Sequence, residues 1–253
     1  MDRKKLLLLN PSEYEHSFDK QALNALEGTP GLEKLVRKIN EYGVERVFRL
    51  GYTGSNIKVT PTNFPDIYQL LEEACANIYL KDIPDLYIEW NYEINAMAIG
   101  SQNPMVVLNS GAVDLLSREE LLFVIGHEVG HIKSGHMLYH DMACILPFLG
   151  EIIGSVTLGM GSLLSSGLEY SLMYWYRMSE LTADRTGLLA CQDEKVVLSA
   201  LMKMGGMPKS FYDKMNTEDF IKQAKEFKGF DYDSMDKVAK ILLIATQTHP
   251  WTV

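Results

Sequence analysis

The chain has 253 residues, 47% of them hydrophobic and 23% charged, which is enough apolar content for a folded core and too much for intrinsic disorder. Lys and Arg total 24 against 33 Asp and Glu, a net charge of -9, and no basic run is available to neutralise a phosphate backbone, so no nucleic acid partner is expected. The three cysteines, Cys75, Cys144 and Cys191, are isolated and odd in number, which excludes a disulfide framework or a CxxC zinc knuckle and fits a reducing compartment.

At the N-terminus Lys4 and Lys5 precede only four leucines, Leu6 to Leu9, before Asn10-Pro11. That run is shorter than a signal-peptide core, and the expected placement is cytoplasmic. Residues 12–50 carry apolar positions at helical spacing (Leu23, Leu26, then Leu32, Leu35, Val36, Ile39), broken at Gly28-Thr29-Pro30-Gly31. They read as a helical appendage, residues 1–65, packed on a main domain, residues 66–253. After a Gly/Pro-rich stretch over 51–65, a helix is expected over 67–80, followed by three short strands at 86–90, 94–99 and 105–108. Successive strands followed only by helices predict an α+β fold, mostly helical, with a small three- to four-stranded sheet, antiparallel or mixed.

Ser117 with Glu120 forms a capping box that opens a helix from Glu119 to about His136. Beyond it, residues 142–168 are strongly apolar, interrupted by Glu151, Pro147 and five glycines. The stretch is long enough to cross a bilayer, but a carboxylate within it and its Gly/Ser content suit buried helices better. Peripheral membrane contact through 142–168 is the alternative. The rest, over 169–191, 194–204, 218–227 and 234–246, is helical by pattern, and no internal repeat is found.

The chemistry lies in His127-Glu128-Val129-Gly130-His131, inside the capped helix. At 100° per residue, positions four apart differ by about 40°, so the two imidazoles share a face and can share one metal ion. Glu128 is placed to take a proton from a metal-bound water without itself being a ligand, the arrangement for metal-assisted hydrolysis. A chance HExxH is expected about once in a hundred chains of this composition. A catalytic site needs a third protein ligand. A histidine six residues past the motif would fall at 137, where Met137 stands; His136 and His140 lie about 140° and 180° from His131 if the helix continues, and so face elsewhere. Glu180, in Ser179-Glu180-Leu181-Thr182-Ala183-Asp184, is the better candidate. Glu180 and Asp184 again lie four apart, so one helix face can present a metal-binding carboxylate and a second carboxylate that accepts a hydrogen bond from a ligand histidine. Thr182, Ala183 and Gly187 are small enough for close helix packing. On spacing alone, an exposed acidic face partnered by Arg177 and Arg185 fits equally well.

Taken together, the HExxH motif and the Ser179 to Arg185 motif resemble the gluzincin metalloproteases related to the bacterial membrane protease HtpX and the CaaX prenyl protease. The likeness includes Asn95-Ala96-Met97-Ala98, the Val106-Val107-Leu108-Asn109 strand and Thr248-His249-Pro250, and covers about residues 66–250. It implies a zincin-like fold, with His127, His131 and Glu180 as ligands of one Zn2+ per chain, Glu128 as general base and Asp184 as the partner of His127. It also implies that Asn95, Ala96, Met97 and Ala98 form an edge strand holding a peptide in extended form, and that His249 stabilises the oxyanion. The expected activity is zinc-dependent endopeptidase cleavage of extended or unfolded polypeptide. A zinc-stabilised chaperone-like or binding protein with little proteolysis is the alternative, suggested by the apolar 142–168 stretch. The best-known members of the family are integral membrane proteins, and a soluble branch is expected here, with membrane association as the alternative. The aromatics Trp90, Tyr92, Tyr174, Trp175 and Tyr176 are read mainly as core.

Overall fold

Short apolar runs bounded by turn residues become strands, and their pairing sets the frame for the helices. The computed structural model describes residues 3–33, 36–37, 43–143 and 166–229. Within them β1 (Ile57–Val59), β2 (Asp85–Glu89), β3 (Ala96–Ile99) and β4 (Met105–Asn109) form one sheet in the order β1-β2-β4-β3. β2 and β4 run parallel, with Leu86 opposite Val106, while β1 and β3 run antiparallel to their neighbours, with Lys58 opposite Tyr87 and Ala98 opposite Val106. The α+β expectation with a small mixed sheet is met. β1 is an addition to the three expected strands. It has three residues inside the Gly/Pro-rich stretch, too few for a pattern of its own, and it is defined by pairing to β2.

β4 is buried along its whole length because both faces of the sheet are covered. Val106 and Leu108, with Leu86, pack into the main core beside Leu71 and Ala74 of the helix Pro65–Asn77 and Leu122 and Ile125 of the helix Arg118–Ser134. Met105 and Val107, with Tyr87, pack on the opposite face against Phe48 and Tyr52 of the helix Val44–Ser55. Among the described residues, besides the helical segment 137–143, the α-helices in chain order are α1 (Ser17–Glu27), α2 (Val44–Ser55), α3 (Pro65–Asn77), α4 (Ser110–Leu115), α5 (Arg118–Ser134), α6 (Ser166–Cys191), α7 (Glu194–Met204) and α8 (Thr217–Gly229). α2 continues through Gly51 and Gly54, into the Gly/Pro-rich stretch over 51–65. Of the aromatics expected in the core, Trp175 is buried, whereas Trp90 is 86% exposed because β2 ends just before it.

α5 begins with the expected box: Glu120 N–H donates to Ser117 Oγ, and Ser117 N–H donates to Glu120 Oε2 at 2.6 Å. The same carboxylate accepts from Lys203 of α7, also at 2.6 Å, so the start of α5 is pinned to a second helix by a buried ion pair. α5 ends at Gly135, whose φ of 76° is open to glycine and strained for other residues.

α6 lies along α5 at very short range. A β-carbon on Gly126 would overlap Ala190, one on Gly130 would overlap the Thr186 side chain, and one on Gly187 would come within 2.7 Å of the Phe123 ring. α1 packs on the outer side of α6, with Ala22 and Leu26 against Leu172 and Trp175. Among the described residues no helix is long and apolar enough to cross a membrane. Most of the apolar 142–168 stretch, the helix expected over 234–246 and His249 lie outside the described residues.

The turn between β3 and β4 is held from two sides. Glu45 of α2 accepts from the amides of Ser101, Gln102 and Asn103, and Asp141, in the helical segment 137–143, accepts from Gly100 N–H at 3.1 Å. Burial, with Glu45 nearby, pushes the Asp141 carboxyl up to about 6 despite that hydrogen bond. The native state therefore holds the proton more tightly than the unfolded chain, and this residue lowers stability as pH rises from about 4 through 6. Asp141→Asn keeps the acceptor and removes the charge. Relative to wild type it should gain about 2–3 kcal/mol between pH 4 and pH 7 in denaturant unfolding; parallel pH profiles would contradict this. A second expectation follows from the helix contact: Gly130→Ala should destabilise the fold by about 1–3 kcal/mol or more, read in the same assay, because the Thr186 Cβ would lie 2.7 Å from the added methyl.

Candidate metal centre

The close approach of α5 and α6 is what brings the two sequence motifs together. His127 and His131 stand one turn apart on α5, and Glu180 faces them from α6. His127 Nε2 lies 3.1 Å from His131 Nε2 and 3.2 Å from Glu180 Oε2, and His131 Nε2 lies 3.5 Å from Glu180 Oε1. Asp184, one turn beyond Glu180, contacts His127 Nδ1 at 3.0 Å. The reading of Glu180 and Asp184 as a solvated acidic face paired with arginines does not hold. Glu180 is 2% exposed, and Arg185 Nη1 donates instead to the carbonyls of Tyr14 and Glu15. Glu128 is buried on α5 next to His127.

The donor set fits a divalent ion such as zinc. With Asp184 accepting from Nδ1–H of His127, the Nε2 lone pair of that ring is directed at His131 Nε2 and the Glu180 carboxylate. Lone pairs facing each other at this range repel unless a proton or cation lies between them. Two ligands about 2.0–2.1 Å from a tetrahedral zinc stand about 3.3 Å apart, close to the separations here. His127, His131 and Glu180 thus form a group able to hold a metal ion, with two imidazole nitrogens and one carboxylate oxygen. The two rings differ electrostatically. Burial opposes charge on both, but at His127 the carboxylates of Asp184 and Glu180 outweigh it and hold the pKa well above the ordinary value, because a proton on Nε2 relieves the same repulsion that a metal ion there would. At His131 burial, reinforced by His140, keeps it well below.

His136 and His140, expected to face away, do the opposite. That expectation assumed a continuous helix, and Gly135 breaks the phase. The chain turns back so that His136 Nδ1 lies 3.0 Å from His131 Nδ1, and the His140 ring centroid is 4.3 Å from that of His131. His131, His136 and His140 form a second, overlapping set of nitrogens close enough for an ion. Its members have other partners: His140 Nε2 contacts Ser179 Oγ at 2.9 Å and His136 Nε2 contacts Asp19 at 3.2 Å. The Ser134-Gly135 pair was the signal in the sequence that the helix ends before these histidines. Nothing in local spacing pointed to Asp19.

Asn95 sits just before β3, its Oδ1 accepting from Ala96 N–H, and Ala96, Met97 and Ala98 lie in β3 itself. β3 is at the edge of the sheet, beside α5, with β4 on one side and no strand among the described residues on the other.

A mixed sheet with an edge strand beside a helix bearing two histidines, completed by a carboxylate from a second helix, defines a zincin-like fold. The chain belongs to Peptidase family M48, whose family model matches residues 61–253. It is 34% identical over 222 residues to the plastoglobule-localized metallopeptidase 48, chloroplastic, of Arabidopsis thaliana, covering 87% of this chain and 63% of that protein. A protease HtpX homolog of Streptococcus mutans is 33% identical over 101 residues, 39% of this chain and 33% of the relative. The chain thus spans less than two thirds of the length of these curated relatives. No solved structure matches it.

The contact between Asp184 and His127 generates a direct expectation. Asp184→Asn should weaken zinc binding roughly 10–100-fold in competition with a chromophoric chelator, because the ring loses the carboxylate that fixes its tautomer. An unchanged affinity would separate Asp184 from ligand orientation.

Proposed function

We propose that the chain is a zinc-dependent endopeptidase acting on extended or unfolded polypeptide. The observation that carries this reading is the convergence of His127 Nε2, His131 Nε2 and Glu180 on one point beside an edge strand. His127, His131 and Glu180 would hold a single zinc ion. When bound there, zinc supplies a Lewis acid that polarises a carbonyl and lowers the pKa of water toward about 7. Glu128 accepts the proton of the attacking water at its carboxylate and delivers it to the leaving amine. Its burial favours that role, since water exclusion strengthens the proton acceptor's interactions at the reacting atoms.

Backbone groups of Ala96 to Ala98 on the open side of β3 pair with substrate main chain, which gives affinity with little demand on side-chain identity and selects extended segments. His249 is proposed to stabilise the oxyanion. A cytoplasmic placement is retained, with residues 142–168 as the segment through which a membrane surface would be met. Family membership supports the peptidase reading, and the relatives' names include metallopeptidase and protease.

Wild type and Glu128→Gln should be compared for zinc content and for cleavage of an unfolded protein. The variant should keep its zinc and lose about 10²–10⁴-fold in rate. Equal rates would remove Glu128 as the base. A wild type that suppresses aggregation of the substrate without producing fragments would instead favour the chaperone-like alternative.

A further inference from the structure

The histidine that Asp184 does not support has a support of its own, delivered from the other end of the chain. His131 Nδ1 lies 3.0 Å from His136 Nδ1, and His136 Nε2 lies 3.2 Å from Asp19 Oδ2. The carboxylate can only accept, so His136 donates to it from Nε2 and its Nδ1 is left as an acceptor. His131 must then donate from Nδ1, which leaves its Nε2 lone pair directed at His127 and Glu180. Asp19 is itself fixed: it is 1% exposed, and Thr182 Oγ1 donates to it at 2.5 Å while accepting from His16 N–H at 3.1 Å. Each of the two imidazoles at the centre thus has its far nitrogen tied to a carboxylate, His127 directly and His131 through one intervening ring.

We infer that the N-terminal segment is part of the metal centre: Asp19, acting through His136, is a positioning residue that fixes the tautomer and orientation of His131. The inference rests on the ligand set proposed above. It goes beyond the family resemblance, because Asp184 lies within the region that the family model matches, residues 61–253, and Asp19 lies outside it. An ion held between His131 Nδ1 and His136 Nδ1, in the overlapping group His131, His136 and His140, would take the place of the hydrogen bond between them, so the two readings exclude each other and metal stoichiometry separates them.

The test uses the full chain, with zinc affinity read by chelator competition and ligand geometry read from the visible spectrum of the cobalt-substituted protein. Asp19→Asn and His136→Asn, the latter too short to span from His131 to Asp19, should each raise the zinc dissociation constant about tenfold or more and shift the cobalt bands. Leu26→Ala, which loosens the packing of α1 without touching the hydrogen-bonded chain, should leave both readouts at the wild-type values. Weakening by Leu26→Ala equal to that by Asp19→Asn would reduce Asp19 to a structural tie and overturn the inference. So would two zinc ions per wild-type chain with one lost in His136→Asn. Glu180→Gln separates the layers. If it leaves zinc affinity unchanged, the ligand set itself fails; if it loses zinc while Asp19→Asn and His136→Asn bind as wild type does, the positioning role alone fails.

Discussion

The distance between α5 and α6 governs the rest of the molecule. Three positions on their shared face, Gly126, Gly130 and Gly187, have no room for a β-carbon, and the residues opposite them are Ala190, Thr186 and the ring of Phe123. A carboxylate on a glutamate reaches only a few ångströms from its backbone, so Glu180 can share an ion with two imidazoles on a neighbouring helix only if the helices almost touch. Small residues on the contact face make that approach possible, and the interior around it is packed tightly enough that the separation is not adjustable. The centre's geometry is thus a by-product of backbone proximity. Sheet and core act to hold α5 still: its start is locked by Glu120 to Lys203, its buried face by Leu122 and Ile125, and its end by the turn at Gly135.

Features that depend on residues a few positions apart were legible in the sequence. The Ser117/Glu120 box and the four-residue spacing within each motif are local, set by helical geometry that every helix shares. Three strands of the sheet were legible because each holds a short apolar run bounded by polar or turn residues: Leu86 to Ile88 in β2, Ala96 to Ile99 in β3 and Met105 to Leu108 in β4. β1 was not, because three residues paired at a sheet edge carry too little pattern. Glu180 was open on spacing, since the same carboxylates on an isolated helix would be solvated; what decides the matter is a contact between helices that the small residues permit but do not dictate.

His136 and His140 mark a different kind of limit. Extrapolating the helix by 100° per residue sends both rings away from His131, and the extrapolation fails at a single residue, Gly135, which adopts a left-handed conformation and resets the direction of the chain. A local rule applied one residue past its domain of validity thus inverted the answer. Asp19 could not be found by any local rule, because its place under His136 is set by how α1 lies on α6, through Leu26 and Trp175 on one side and Thr182 on the other.

The two supports of the centre are unequal for a physical reason. Asp184 reaches His127 from the partly exposed side, with its side chain 45% accessible, so its charge is screened by water and can sit directly against the ring. The space behind His131 is dry, and His131, His136 and Asp19 are all nearly inaccessible. A carboxylate there must satisfy its remaining lone pairs inside the protein or raise the cost of its own burial. At Asp19 the Thr182 hydroxyl and the His136 ring meet that need, and burial notwithstanding, they hold its carboxyl below the ordinary carboxylate range. Interposing an imidazole lets a charge that needs such a pocket act on His131, which stands outside it, and the segment carrying Asp19 is bound closely to α6 at Thr182 and Arg185.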